Sequence, residues 1–186
     1  MRPFWLILPI FLLLTACQST QVHEDYDPTR NFAAYHTWTW KKPPVQFRPE
    51  DPRVQNGLTE QRILGAVSQQ LVLQGLNPVQ QGQTPDLEVQ VWFIVDERTQ
   101  QFTTPSMVAW GNPWYDYWDG PLYTETQTIQ YQVGTLQLDF YDAKDGKLVW
   151  RGTGEHILRS NPGTPEERTE MFRETVAKIL AQYPPQ

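Results

Sequence analysis

The sequence predicts an α+β fold: an antiparallel sheet with two helices packed on one face, plus a long aromatic-rich loop. Three observations predict it. Two segments repeat apolar residues at helical spacing, each with a single stripe, and several others alternate apolar and polar residues with a period of two. The elements follow one another as strand, helix, three or four strands, helix. Helices laid on one side of the sheet bury every stripe and every apolar strand face at once.

Folded structure is expected from about Phe32, where Phe32, Ala34, His36, Trp38 and Trp40 alternate with smaller or more polar residues. Lys41-Lys42-Pro43-Pro44 should end that strand, since proline cannot donate to a ladder, and Val45 to Arg53 reads as loop. A helix is expected over Gly57 to Gln74, capped by Asn56 and carrying Ile63, Ala66, Val67 and Leu71 on one face. Gly75 fits the position after its end, with Leu76 folding back. Leu87, Val89, Val91, Phe93 and Val95 then define the clearest strand. Later, Ile129, Tyr131 and Val133 use odd positions whereas Leu136, Leu138 and Phe140 use even ones. The switch across Gly134 implies a bulge or a change of sheet face. Asp142 to Lys147 reads as a turn, returning into a strand from Leu148 to Thr153. Thr164-Pro165-Glu166-Glu167 spells a capping box, and Phe172, Val176, Ile179, Leu180 and Tyr183 form the stripe of a last helix stopped by Pro184-Pro185.

The chain has 186 residues, enough for one domain with a real core. Its net charge of −6 argues against nucleic acid, because few cations are available to displace phosphate counterions. One cysteine excludes a disulfide framework and a thiol zinc site. Arg2 followed by an apolar run from Phe4 to Leu14 has the length of a signal-peptide core, too short to span a membrane. Leu14-Thr15-Ala16-Cys17 resembles the lipobox of bacterial lipoproteins, in which cleavage leaves the cysteine as a lipid-bearing N-terminus. Two or more acyl chains would make that attachment effectively permanent. Residues 1–16 are therefore expected to be a signal peptide, 17–30 the lipidated Cys17 and a flexible tether, and 31–186 a single periplasmic α+β domain. Gln18 after the cysteine, where aspartate would signal inner-membrane retention, implies the outer membrane by the lipoprotein sorting rule.

Several segments recur together in one family: DYDPTRNFAAYHTWTW, QQLVLQGL, PDLEVQVWF, YQVGTLQLDFYDAKDGKLVWRGTG and ILAQYPP. With the lipobox they resemble the bacterial lipoproteins of domain of unknown function 4136, from about Asp25 to Pro185. The resemblance implies an envelope lipoprotein with an α+β domain. It brings no activity, no catalytic residue and no cofactor.

The unusual segment runs from Thr99 to Tyr123 and holds seven aromatic residues, broken by Gly111, Pro113, Gly120 and Pro121. Long loops of this kind are often functional. The rings either fold back beside Trp92 and Ile94 as a second small core, dock a protein partner, or bind a glycan. In the last case Trp110, Trp114 or Trp118 would stack on sugar faces while Asn112, Asp116 and Asp119 accept hydroxyl hydrogen bonds. The candidate surface is thus Trp110, Asn112, Trp114, Tyr115, Asp116, Tyr117, Trp118 and Asp119. With two acidic residues and no basic one, the segment suits an anionic membrane surface poorly. An envelope protein partner is the preferred expectation and a glycan the alternative. His23, His36 and His156 show no metal-ligand spacing, and no catalytic motif is present. Gly152-Thr153-Gly154 is expected to end a strand rather than bind phosphate. Asp139 and Glu155 could approach as a carboxylate pair, but a solvated face or an ion pair with Lys147 or Arg151 is the expected outcome.

Overall fold

The computed structural model describes residues 20–50, 55–106, 123–158, 161 and 163–185. Its strands are β1 (Gln21–Tyr26), β2 (Thr37–Arg48), β3 (Asn77–Pro78), β4 (Leu87–Ser106), β5 (Tyr123–Asp142) and β6 (Leu148–Leu158). Two helices, α1 (Gly57–Leu73) and α2 (Pro165–Leu180), complete the domain. The six strands form one sheet in the order β1-β6-β5-β4-β2-β3. From β1 through β4 neighbours are antiparallel, but β2 lies parallel to both β4 and β3. The α+β fold is as expected, while the sheet is mixed. Helix α1 returns the chain to the end where β2 began, so β4 has to run in the same direction.

One face of this sheet is the core. Register brings Val89 opposite Phe140 and Phe140 opposite Trp150, with Val91 beside Leu138 and Phe93 beside Leu136. Ile63, Val67 and Leu71 of α1 and Val176, Ile179 and Leu180 of α2 are completely buried against it. Phe140, Trp150 and Tyr183 close the far end, their rings 4.8–5.4 Å apart. Both helices end as the sequence dictates. Asn56 accepts from the Thr59 amide at 2.8 Å, and Gly75 takes a φ of +83° so that the Leu76 amide reaches the Leu71 carbonyl at 3.0 Å. Thr164 and Glu167 complete the capping box at the start of α2.

The switch of apolar parity at Gly134 is a change of face. Register with β4 and β6 is unbroken there, so Leu136 packs in the core while Val133, also buried, lies on the opposite side. Gly152 and Gly154 do not end a strand. They lie inside β6 directly beneath α2, where added Cβ atoms would meet Ile179, Trp150 and Thr175.

Three further expectations are corrected. Phe32–Ala34 is a turn of 3₁₀ helix, and the first central strand starts only at Thr37. That strand does not stop at the prolines. Between Trp40, paired with Val89, and Val45, paired with Val91, β2 makes a bulge that holds Lys41 to Pro44, so neither proline has to donate to the ladder. Val45 and Phe47, expected in a loop, are core residues. The flexible tether over 17–30 is also shorter than expected, because Gln21–Tyr26 pairs along β6 as an edge strand. Arg30 then fixes the segment that follows. Its guanidinium meets Asp27 at 3.1 Å, Asp142 at 3.1 Å and Asp145 at 2.7 Å. Tyr35 also donates to Asp142, and burial followed by that carboxylate pushes its phenol up to about 12.

A second clamp sets the start of β2. One carboxylate oxygen of Asp86 accepts from the His36 amide, the Thr37 amide and the Thr37 hydroxyl, all within 3.0 Å. Burial pushes its pKa up, but these three donors together outweigh it and leave the carboxyl below its usual value. A depressed folded pKa stabilises above the unfolded value, about 4, and that contribution disappears as pH falls through the lower folded value. Asp86→Asn should therefore lower the melting temperature at neutral pH and shrink that deficit below about pH 4, a comparison that thermal melts across the acid range will check.

Candidate functional site

The strands β4 and β5 continue far beyond the rest of the sheet. β2 leaves β4 at Ile94 and β6 leaves β5 at Gln132, but β4 and β5 stay paired to Ser106 and Tyr123. Thr99–Ser106 and Tyr123–Gln130 thus form a free two-stranded ribbon, roughly 25 Å long at ~3.3 Å per residue. Threonine-rich sequence suits extended backbone even without alternating hydrophobicity. The part of the expected loop from Thr99 to Ser106 is consequently strand.

The ribbon has two unlike faces. Thr99, Gln101 and Thr103 stand opposite Gln130, Thr128 and Thr126 on one. The other bears Phe102 and Ile129, each nearly half exposed, with Ile157 exposed on the same side at the ribbon's root. These three went unrecognised as surface residues, although their isolation among threonine and glutamine was a usable signal. At the root, Arg98 grips Glu155 with two hydrogen bonds of 2.9 and 2.7 Å. That grip holds the Glu155 carboxyl below its usual range.

The helix-free face of the body leads up to this root. Asp139 is fully buried there at its centre, receiving Arg151 at 2.6 and 2.8 Å, Gln137 at 3.1 Å and Tyr141 at 3.3 Å. The Tyr141 phenol is pushed up, first by burial and then by the neighbouring Asp139 charge. Lys41 sits over the Tyr141 ring and pairs with Glu88, while Arg48 covers Trp92. Gln90 donates to the Pro43 carbonyl at 2.9 Å, tying down the β2 bulge. The two carboxylates weighed as a pair are thus separately engaged, Asp139 by Arg151 and Glu155 by Arg98. Chemically, this face offers fixed charges and rings, each already matched to a neighbour.

The expected binding residues Trp110, Asn112, Trp114, Tyr115, Asp116, Tyr117, Trp118 and Asp119 lie outside the described residues, as does Cys17. Their segment, 107–122, joins Ser106 to Tyr123, which are cross-strand partners at the end of the ribbon. Among the described residues no group of three His, Cys, Asp or Glu side chains comes together as a metal site. A shallow cleft of about 390 Å³ between the helices is lined by Leu58, Arg62, Thr169 and Arg173 among others. No helix among the described residues is long and apolar enough to cross a membrane.

A family model described as a domain of unknown function, DUF4136, matches residues 22–185. The chain belongs to that family. Among solved structures it is similar to a DUF4136 family protein from Bacteroides thetaiotaomicron, at 18% identity and a TM-score of 0.53, over 89% of this chain and 96% of that one. It is also similar to a PDZ domain protein from Parabacteroides distasonis, at 14% identity and a TM-score of 0.52 over 89% of this chain. This chain spans only 35% of that protein's length. A PelC dodecamer from Paraburkholderia phytofirmans aligns at 13% identity and a TM-score of 0.46, over 88% of this chain and 96% of that one. No curated protein sequence matches. The likenesses to the Bacteroides and Parabacteroides proteins show the fold alone and leave its role to be argued from this chain's own residues.

Proposed function

We propose that this DUF4136 chain is a lipoprotein held to the outer membrane through Cys17, whose periplasmic domain binds an envelope protein partner without catalysing a reaction. The observation that carries this reading is the ribbon. Its described side chains are exposed and contribute nothing to the core, yet its paired strands hold together the ends of the segment bearing Trp110, Trp114, Tyr115, Tyr117 and Trp118. Tryptophan and tyrosine are the usual anchors of protein interfaces. The engagement of Asp139 and Glu155 by separate arginines supports a binding role over acid–base chemistry. The h-region and lipobox-like Leu14 to Cys17 support the anchor.

A Trp114→Ala/Trp118→Ala double variant should lose a cross-linked, co-purifying envelope protein while its melting temperature stays within about 2 °C of the parent's, since surface changes away from the core shift stability little. Loss of retention on peptidoglycan or polysaccharide, with protein partners kept, would replace this reading by glycan binding. Incorporation of labelled palmitate, abolished by Cys17→Ser, tests the anchor independently.

A further inference from the structure

We infer that the β4–β5 ribbon lies against the phospholipid leaflet holding the lipid on Cys17, with Phe102 and Ile129 as its lipid-facing side chains. This rests on the anchoring proposed above and adds a second surface, distinct from the partner-binding segment. The sheet register carries the argument. β1 runs antiparallel to β6, so Gln21 sits level with Glu155, Thr135 and Ile94, at the end of the sheet from which the ribbon projects. From that level β4 continues to Ser106, roughly 40 Å of strand at ~3.3 Å per residue. The covalent link from Cys17 to Gln21 reaches at most about 14 Å even when fully extended. The anchor and the ribbon leave the body at the same end, and the ribbon is much the longer. While β1 stays docked, a body held that close keeps the ribbon at the surface, running along it or dipping into it.

The chemistry of the ribbon suits this position. The chain carries a net charge of −6, yet of the sixteen residues in Thr99–Ser106 and Tyr123–Gln130 only Glu125 is charged. An acidic protein brought against headgroups is repelled least at its least charged part. The ribbon's two exposed apolar side chains share one face, where they stand among Gln100, Thr104, Gln127 and, toward the far end, Glu125. Phe102 and Ile129 are diagonal neighbours on one face, 45% and 48% exposed, and Ile157 extends that face to the root at 53%. The threonine and glutamine ladder occupies the opposite face. Contact through the first face covers exposed rings and aliphatic groups, while the second stays in water, as for an interfacial helix.

Cys17 is the sole cysteine and its sulfur is occupied in the lipidated protein, so an introduced thiol is a unique labelling site. Phe102→Cys, Ile129→Cys and, as a control on the exposed side of α1, Gln69→Cys are purified as lipidated protein and labelled with an environment-sensitive fluorophore. They are then reconstituted into phosphatidylethanolamine–phosphatidylglycerol vesicles containing nitroxide-bearing lipid. Labels at 102 and 129 should be quenched about twofold or more and the label at 69 hardly at all, given insertion of the apolar face by several ångströms. If the labels at 102 and 129 are quenched no more than the label at 69 in protein that floats with the vesicles, this face of the ribbon does not seat in the leaflet and the inference fails alone. If mass spectrometry of the N-terminal peptide shows no lipid and the protein does not float, the anchoring reading fails, and this inference with it.

Discussion

Gly152→Ala is expected to destabilise the domain by about 3 kcal/mol, lowering its melting temperature by roughly 10 °C. A Cβ at this position would run into the Trp150 indole and the Ile179 side chain. Neither neighbour is free to yield. Trp150 is completely buried, its ring 4.8 Å from Phe140 and 5.4 Å from Tyr183, and Ile179 is completely buried on the helix above. Alanine also narrows the unfolded ensemble, which favours folding by up to about 1 kcal/mol, but overpacking a close-packed site outweighs that. Two comparisons isolate the mechanism. Gly65, inside α1 with open space around its missing Cβ, should gain about 0.5–1 kcal/mol on the same substitution. Ile179→Ala made together with Gly152→Ala should cost less than the sum of the two single changes, the signature of contact in a double-mutant cycle. Chemical denaturation of the parent and these four variants, Ile179→Ala alone included, measures all of this. An unchanged Gly152→Ala midpoint would show that α2 does not lie so close to β6.

Arg151→Met should cost about 3–5 kcal/mol, the range for removing one partner of a buried ion pair. Asp139 has no exposed side-chain surface, whereas the Arg151 side chain is 40% exposed. The two halves are therefore unequal. Losing the arginine strands a desolvated carboxylate with only Gln137 and Tyr141 as donors, while losing the carboxylate leaves an arginine that can turn to water. Asp139→Asn should accordingly be much milder, keep the fold, and leave partner binding intact. Replacing both residues, Arg151→Met with Asp139→Leu, should recover most of the stability lost by Arg151→Met alone. Equal losses from the two single variants would place Asp139 in water rather than at the centre of the helix-free face. Loss of binding in a folded Asp139→Asn protein would assign that carboxylate a functional part.

What was legible in the sequence was whatever side chains must announce. Asn56 and Thr164 had to appear where helices begin, Gly75 where one ends, and Leu87 to Val95 had to alternate because one side of β4 is buried. The elements missed are those held mainly by backbone. β1 is an edge strand whose residues Gln21 to Tyr26 make no apolar pattern, since only Val22 packs against the core. The ribbon is paired but uncovered, so Thr99 to Phe102 had no reason to alternate and resembled loop. Pro43 and Pro44 were a true local signal for interruption, but the sheet absorbs them in a bulge rather than ending. The parallel pairing of β2 with β4 was available from the strand–helix–strand order and was overlooked in favour of the hairpins downstream. Alternate glycines at 152 and 154 mark a close helix, a signal that resembled a strand end because the helix lying on them, α2, comes later in the sequence.

The docking of β1 gives the N-terminal segment a mechanical character. A pull on the chain ahead of Gln21 is borne first by six backbone pairs at the rim of the sheet, where few apolar contacts would be lost on opening. Unzipping β1 pays out roughly 20 Å of extra chain, at ~3.5 Å per residue, while the core stays folded. The extension then meets Arg30, pinned to the body by Asp142 and Asp145 at the β5–β6 turn, which acts as a stop. The segment is thus a leash with a short reserve of slack and a knot at its end, able to yield under load and rewind when the load is released.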